Sequence, residues 1–309
     1  MFYRFKRQYQ RDRFNRLTAG ILQTPPMPVV EAPWAIISMV SNGDIQMYLL
    51  AMKSFYSRLK RGKIIAIIDR DMPAESRRTL ERHLPGITFT ILEDIDTGGC
   101  QRGGTWERVL FLADHSAREY AIQLDSDTLT FGDIEEVIAC VENNIPFTLG
   151  DTGQPIEPMR DAVAPAKAKN SDYVGIALER AFDRYAGADN LNYVRGSSAF
   201  VGLSHGGIGR QDLEAFHREG ERLLGSRWRE WGTEQSASNF AVANSPNAVV
   251  LPYPKYANFN PSYKHEGSFL HFFGTHRFVG DYFAELGNVV IRRLLTADGQ
   301  DRPLLQCSA

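Results

Sequence analysis

Three cysteines in 309 residues, Cys100, Cys140 and Cys307, are odd in number and far apart. That excludes a disulfide framework and a cysteine-built zinc cluster. No stretch approaches about 18 consecutive apolar residues, so no membrane-spanning helix is expected. The opening Met-Phe-Tyr-Arg-Phe-Lys-Arg lacks the apolar run of a secretory signal. Neither sign of charge dominates: 35 Lys and Arg stand against 37 Asp and Glu, a net charge of −2, whereas a chain built to grip nucleic acid is usually basic. The glycine-rich stretch at residues 98–104 is not followed by the Lys-Ser/Thr of a phosphate-binding P-loop. Internal repeats and low-complexity tracts are absent. What is present, 43% hydrophobic and 23% charged residues, is enough for a sizeable core. These features predict a reduced, cytoplasmic globular protein.

Residues 1–33 differ from the rest. Arg4, Lys6, Arg7, Arg11, Arg13 and Arg16 are interleaved with Phe2, Tyr3, Phe5, Tyr9, Phe14 and Leu17, and Pro25, Pro26, Pro28 and Pro33 follow. Such a basic, aromatic arm can lie on an anionic membrane surface through residues 1–20, which would place the protein peripherally at the inner face of a membrane. It can equally fold back on the domain behind it. Residues 34–295 read as one domain and 296–309 as a tail.

From residue 35 short apolar runs alternate with amphipathic stretches. Strands are expected at 35–40, 64–68, 88–92 and 121–124, and helices at 45–59, 74–83 and 106–113. This alternation predicts an α/β fold with a mostly parallel sheet, and places ligands at the carboxyl ends of its strands. The second half is less regular, with helices expected at 174–185, 211–224 and 233–243, strands at 198–203 and 248–251, and a loop over 252–268.

The sharpest chemical signal is Ile122-Gln123-Leu124-Asp125-Ser126-Asp127, two carboxylates one residue apart where an apolar strand ends. Carboxylates that close repel unless a cation joins them, and their oxygens suit Mg²⁺ or Mn²⁺, hard ions that also clamp phosphates. A second cluster lies at residues 269–278: His271 follows apolar residues, Gly274 permits close backbone approach, and Arg277 offers a planar cation for phosphate. Two carboxylates and one imidazole would leave coordination positions open for a diphosphate.

The strand–turn–helix opening, Trp106-Glu107-Arg108 ahead of the Leu-Asp-Ser-Asp core, and the trailing Phe131-Gly132-Asp133-Ile134 resemble glycosyltransferases of the GT-A fold. The resemblance is strongest to family 8, which includes glycogenin and bacterial lipopolysaccharide galactosyltransferases. His271-x-x-Gly274-x-x-Arg277 is similar to that family's His-x-x-Gly-x-x-Lys, with Arg in place of Lys. Asp44-x-x-x-Tyr48 stands where the family has Asp-x-x-Tyr. The resemblance implies a metal-dependent glycosyltransferase that moves a sugar from a nucleotide-sugar donor, a UDP-sugar in the family, to a hydroxyl on a glycan, glycolipid or small molecule. Asp125, Asp127 and His271 would hold Mn²⁺ or Mg²⁺. Arg277 and the backbone at Gly274 would bind the diphosphate, Ser41, Asn42 and Asp44 would border the base and ribose, and Asp125, Arg108 and Ser197 would meet the donor sugar. Glu234 and Gln235 would lie near the anomeric carbon and acceptor. Family 8 retains anomeric configuration; an inverting enzyme would use a carboxylate such as Glu234 as base.

Two other readings fit the same residues. Asp125-Ser126-Asp127-Thr128-Leu129 also resembles the opening motif of haloacid-dehalogenase-like phosphatases, with Asp125 as nucleophile, Asp127 as acid/base and Lys167 or Lys169 as the cation. A non-catalytic nucleotide-sugar binding protein would keep the site without transfer.

Overall fold

The computed structural model describes residues 2–150, 154–262 and 267–296. Its strands in chain order are β1 (Trp34–Val40), β2 (Lys63–Ile68), β3 (Thr88–Ile91), β4 (Tyr120–Leu124), β5 (Thr128–Thr130), β6 (Phe147–Gly150), β7 (Glu157–Pro158), β8 (Asn192–Tyr193), β9 (Gly196–Leu203), β10 (Val249–Val250), β11 (Tyr256–Asn258) and β12 (Phe269–His271). The helices are α1 (Phe2–Leu17), α2 (Ile45–Leu59), α3 (Ala74–His83), α4 (Trp106–Ser116), α5 (Glu135–Glu142), α6 (Val163–Ala168), α7 (Val174–Glu179), α8 (Arg210–Leu224), α9 (Thr233–Ala243) and α10 (Tyr282–Leu295).

Seven strands form the central sheet in the order β10-β6-β9-β4-β1-β2-β3. All neighbours are parallel except those of β9, which runs antiparallel to both β4 and β6. The sheet is buried on both faces, so its strands read as continuous apolar runs rather than as alternation. Side chains still divide by period two. Ile36, Val40, Ile64 and Ile68 join α1, α2 and α10 on one face; Ile37, Ile65, Ile67 and Val201 join α4, α8 and α9 on the other.

The strand order reverses between β1 and β4, where β1 pairs with β2 on one side and β4 on the other. At such a switch point the connections leave in opposite directions and open a crevice beyond the strand ends. Ser41 follows the end of β1 and Asp125 the end of β4, so both candidate motifs reach the same crevice.

Three differences from the sequence expectations stand out. Residues 252–268 are not all loop: β11 pairs parallel with β12, and β12 pairs antiparallel with β5 in a second small sheet. A three-residue strand is too short to show periodicity. The helix expected over 174–185 stops at Glu179 and gives way to a short turn at Phe182–Arg184. The arm takes the second of its two expected courses, folding back on the protein: Phe14 is buried against Phe278 and Phe283, and Arg13 pairs with Asp281. Residues 297–309 of the tail, with Cys307, lie outside the described residues.

Candidate active site

Strand β4 delivers Asp125 and Asp127 through a tight turn. The Asp125 backbone N–H donates to Ala199 O at 2.8 Å, and Thr128 Oγ1 donates to Asp125 O at 2.8 Å. Ser126 turns the other way, donating to Met39 O of β1 at 3.2 Å, so both carboxylates share one side. The second sheet then brings in the distant imidazole. His271 pairs with Thr128 across β12 and β5, and the Phe272 N–H donates to Asp127 O at 2.7 Å. A backbone ladder therefore sets the relation between the Asp-x-Asp and His-x-x-Gly-x-x-Arg stretches.

One ligand atom from each of Asp125, Asp127 and His271 lies within 4.8 Å of the others. His271 Nε2 is 3.6 Å from Asp127 Oδ1, while His271 Nδ1 is 2.8 Å from Asn258 Oδ1. The ring proton thus sits on Nδ1 and donates to Asn258, which turns the Nε2 lone pair toward the carboxylates. A metal-binding histidine is usually oriented in this way, by a hydrogen bond from its other ring nitrogen. Burial outweighs the two nearby carboxylates and lowers the His271 pKa, keeping the imidazole neutral. Burial and Asp127 push Asp125 up, against the pull of Arg108. A hard divalent cation would relieve this crowding, so the donor set fits Mn²⁺ or Mg²⁺.

Two arginines complete the site. Arg108 Nη1 donates to Asp125 Oδ1 at 2.5 Å and its Nη2 to Ser198 Oγ at 3.4 Å. Arg277 donates to Asp127 Oδ2. Ser197 Oγ lies 3.5 Å from His271 Nδ1. At Gly274 φ is +47°, and an added Cβ would meet open space, so the backbone there is accessible to a ligand.

The remaining predicted residues surround this centre less tightly. Ser41 Oγ donates to Asp44 Oδ2 at 2.6 Å, and Asn42 Oδ1 accepts from Ser76 Oγ at 2.6 Å. Tyr48 is fully buried and its hydroxyl has no partner, so it belongs to the core beneath the turn. Glu234, at the start of α9, is 3% exposed and its Oε2 has no hydrogen-bond partner. Burial raises its pKa, with the Arg108 charge opposing. Gln235 Nε2 donates to Tyr173 Oη at 3.5 Å. Lys167, considered for a phosphatase, is held by Asp183 at 3.0 Å.

Asn258 as the histidine's partner and Arg11, which lies 3.3 Å from Asp44, carry no spacing signal in the sequence. Only an acid-proximal cation search over all pairs would have raised Arg11.

The strand order and the acidic pair at the switch point define a GT-A fold. Among solved structures the chain is similar to the bifunctional glycosyltransferase WbbM in its apo form, with a TM-score of 0.51 and 12% identity over 85% of this chain and 51% of that one. It is also similar to an active-site mutant of LgtC, with a TM-score of 0.50 and 12% identity over 85% of this chain and 97% of that one. The chain thus spans about half the length of WbbM. No protein-family model matches the sequence, and no curated protein matches it. Among the described residues, no helix is long and apolar enough to cross a membrane.

Proposed function

We propose that the protein is a metal-dependent glycosyltransferase that moves a sugar from a nucleotide-sugar donor to a hydroxyl acceptor, with residues 34–295 as its catalytic domain. One observation carries the reading: two carboxylates and a neutral imidazole converge at the switch point of a GT-A sheet, flanked by two arginines. A UDP-linked donor is the choice that the resemblance to family 8 implies.

Asp125, Asp127 and His271 would hold the divalent ion, which when bound supplies Lewis-acid stabilisation of a departing diphosphate. Arg277 would bind that diphosphate together with the Gly274 backbone, placing positive charge where negative charge develops. Arg108, anchored by Asp125 and Ser198, would orient the donor sugar beside Ser197. Asp44, Ser41 and Asn42 would receive the nucleoside. Glu234 is too enclosed to meet an acceptor hydroxyl as a base. Its burial supports a retaining course, in which the departing phosphate takes the acceptor proton and Glu234 with Gln235 shapes the field around the anomeric carbon.

Thermal unfolding in the presence of UDP, GDP or ADP, with and without Mn²⁺, tests this. One diphosphate is expected to raise the melting point only when metal is present, because a ligand bound by the folded state alone shifts unfolding. Metal-independent behaviour toward every diphosphate, combined with an absence of donor hydrolysis, overturns the proposal.

A further inference from the structure

The basic arm ends its course at the nucleotide end of the site. Helix α1 is fixed on one side by Phe14, whose ring lies 4.6 Å from that of Phe283. It is fixed on another by Arg13, which grips both oxygens of Asp281 at 2.9 and 2.5 Å. A cavity of about 20 Å³ between Phe14 and Arg277 marks where the helix meets the phosphate-binding stretch.

Arg11 projects from this anchored helix onto the turn after β1. Its Nε is 3.3 Å from Asp44 Oδ1, and both side chains are about one-fifth exposed (21% and 19%). Its guanidinium lies so close over Gly43 that an added Cβ there would stand 2.2 Å from Nη1. Ser41 Oγ occupies Asp44 Oδ2. Oδ1 is shut off from water yet has no hydrogen bond of good geometry, and an acceptor left in that state is costly. Asp44 also adds to the negative field felt by Arg277, so the turn lies near the phosphate-binding stretch.

We propose that Arg11 is a donor-positioning residue: by pairing with Asp44 Oδ1 and lying over Gly43 it fixes the Ser41–Asp44 turn, whose remaining polar groups border the donor's nucleoside. A turn at the end of a strand beside the switch point is well placed for a nucleoside. The N-terminal helix then forms a wall of the donor site. The proposal rests on the donor reading above, and the experiment separates the two.

Calorimetric binding of UDP, GDP and ADP with Mn²⁺ is measured on the full chain, together with donor KM, kcat and melting temperature. The forms compared are wild type, Arg11→Ala, Gly43→Ala and, as an exposed control on the same helix, Arg7→Ala. Gly43→Ala displaces the guanidinium without deleting it. Arg11→Ala and Gly43→Ala are expected to weaken the preferred diphosphate about tenfold, as loss of one charge-assisted contact would. KM rises with kcat retained, and Arg7→Ala behaves as wild type. Wild-type affinity in both Arg11→Ala and Gly43→Ala overturns the positioning role alone. Failure of the wild type to bind any of the diphosphates overturns the donor reading, and this inference with it.

Discussion

The two faces of the central sheet are built differently. Against α1, α2 and α10 the core is apolar and aromatic, with Leu49, Leu50, Phe55, Phe283 and Ile291 all buried. Its main polar intrusion is Lys53, fully buried, which donates to Thr24 Oγ1 at 2.8 Å, to Pro25 O at 2.7 Å and to His83 Nδ1 at 3.0 Å. All three ammonium protons have acceptors. Against α4, α8 and α9 the core mixes Trp106, Phe216 and Trp228 with buried polar groups, of which Glu234 Oε2 and Ser238 Oγ have no hydrogen-bond partner. Unpaired buried polar atoms are costly and are retained mainly where function uses them. The first face is thus mainly a folding core, although Arg11 of its α1 reaches Asp44, and Tyr48 Oη and His83 Nε2 are unpartnered there too, while the second carries Arg108 and Glu234 beside the Asp-x-Asp turn.

Four measurements can break or sharpen this contrast. Phe55→Ala on the first face is expected to cost about 3–5 kcal/mol of unfolding free energy, through lost burial and a cavity. Transfer activity per folded molecule should remain, and a large loss of that activity would show that the first face also shapes the site.

The second measurement uses pH. Burial, helped by the Lys53 charge, lowers the His83 pKa from 6.5 to about 4. The unfolded chain then takes up a proton between those values and the folded chain does not. Stability is therefore full above pH 6.5 and falls as pH drops toward 4, by up to roughly 3 kcal/mol. Chemical unfolding of wild type and His83→Gln across this window should show a flatter profile in the variant; identical slopes would reject the assignment.

Asp127→Asn comes third. Metal-dependent diphosphate binding should weaken on the order of 100-fold, because one anionic oxygen donor is lost and Arg277 loses its partner. The unfolding midpoint should move little. Calorimetry with and without Mn²⁺ reads the first and denaturant titration the second.

The smallest effect is also the most diagnostic. Glu234→Gln removes a buried charge with an unpartnered oxygen and should stabilise the fold by about 1 kcal/mol while slowing transfer. A destabilised variant with unchanged turnover would place Glu234 on the structural side of the comparison.

Much of the scaffold was legible in residue order. Helix 74–83 and helix 233–243 occur with the expected bounds, and the early strands fall within a residue or two of theirs. Buried parallel strands are short apolar runs bounded by turn residues, and helices repeat their apolar positions every three or four residues, so both are local signals. The strands β5, β6, β11 and β12 were missed because three or four residues carry no period. For the candidate site, Asp125, Asp127, His271 and Arg277 were visible as two motifs. Their union was expected from the family resemblance, not from spacing: Arg277 and Asp127 are 150 residues apart and meet because β12 pairs with β5. Arg11 and Asn258 stood in no motif that pointed to these contacts, whereas Ser198 lay in the Arg195-Gly196-Ser197-Ser198 stretch that resembles the family's sugar-pocket strand.

Sequence alone determined the order of elements, the acidic strand end and the chemistry available at it, because these depend on neighbours along the chain. Tertiary structure alone decided that a basic N-terminal arm packs on Phe278 and Phe283 and reaches the turn after β1, and that an asparagine orients the histidine. Those outcomes depend on strand pairing and helix packing between distant segments, for which no local pattern encodes the partner.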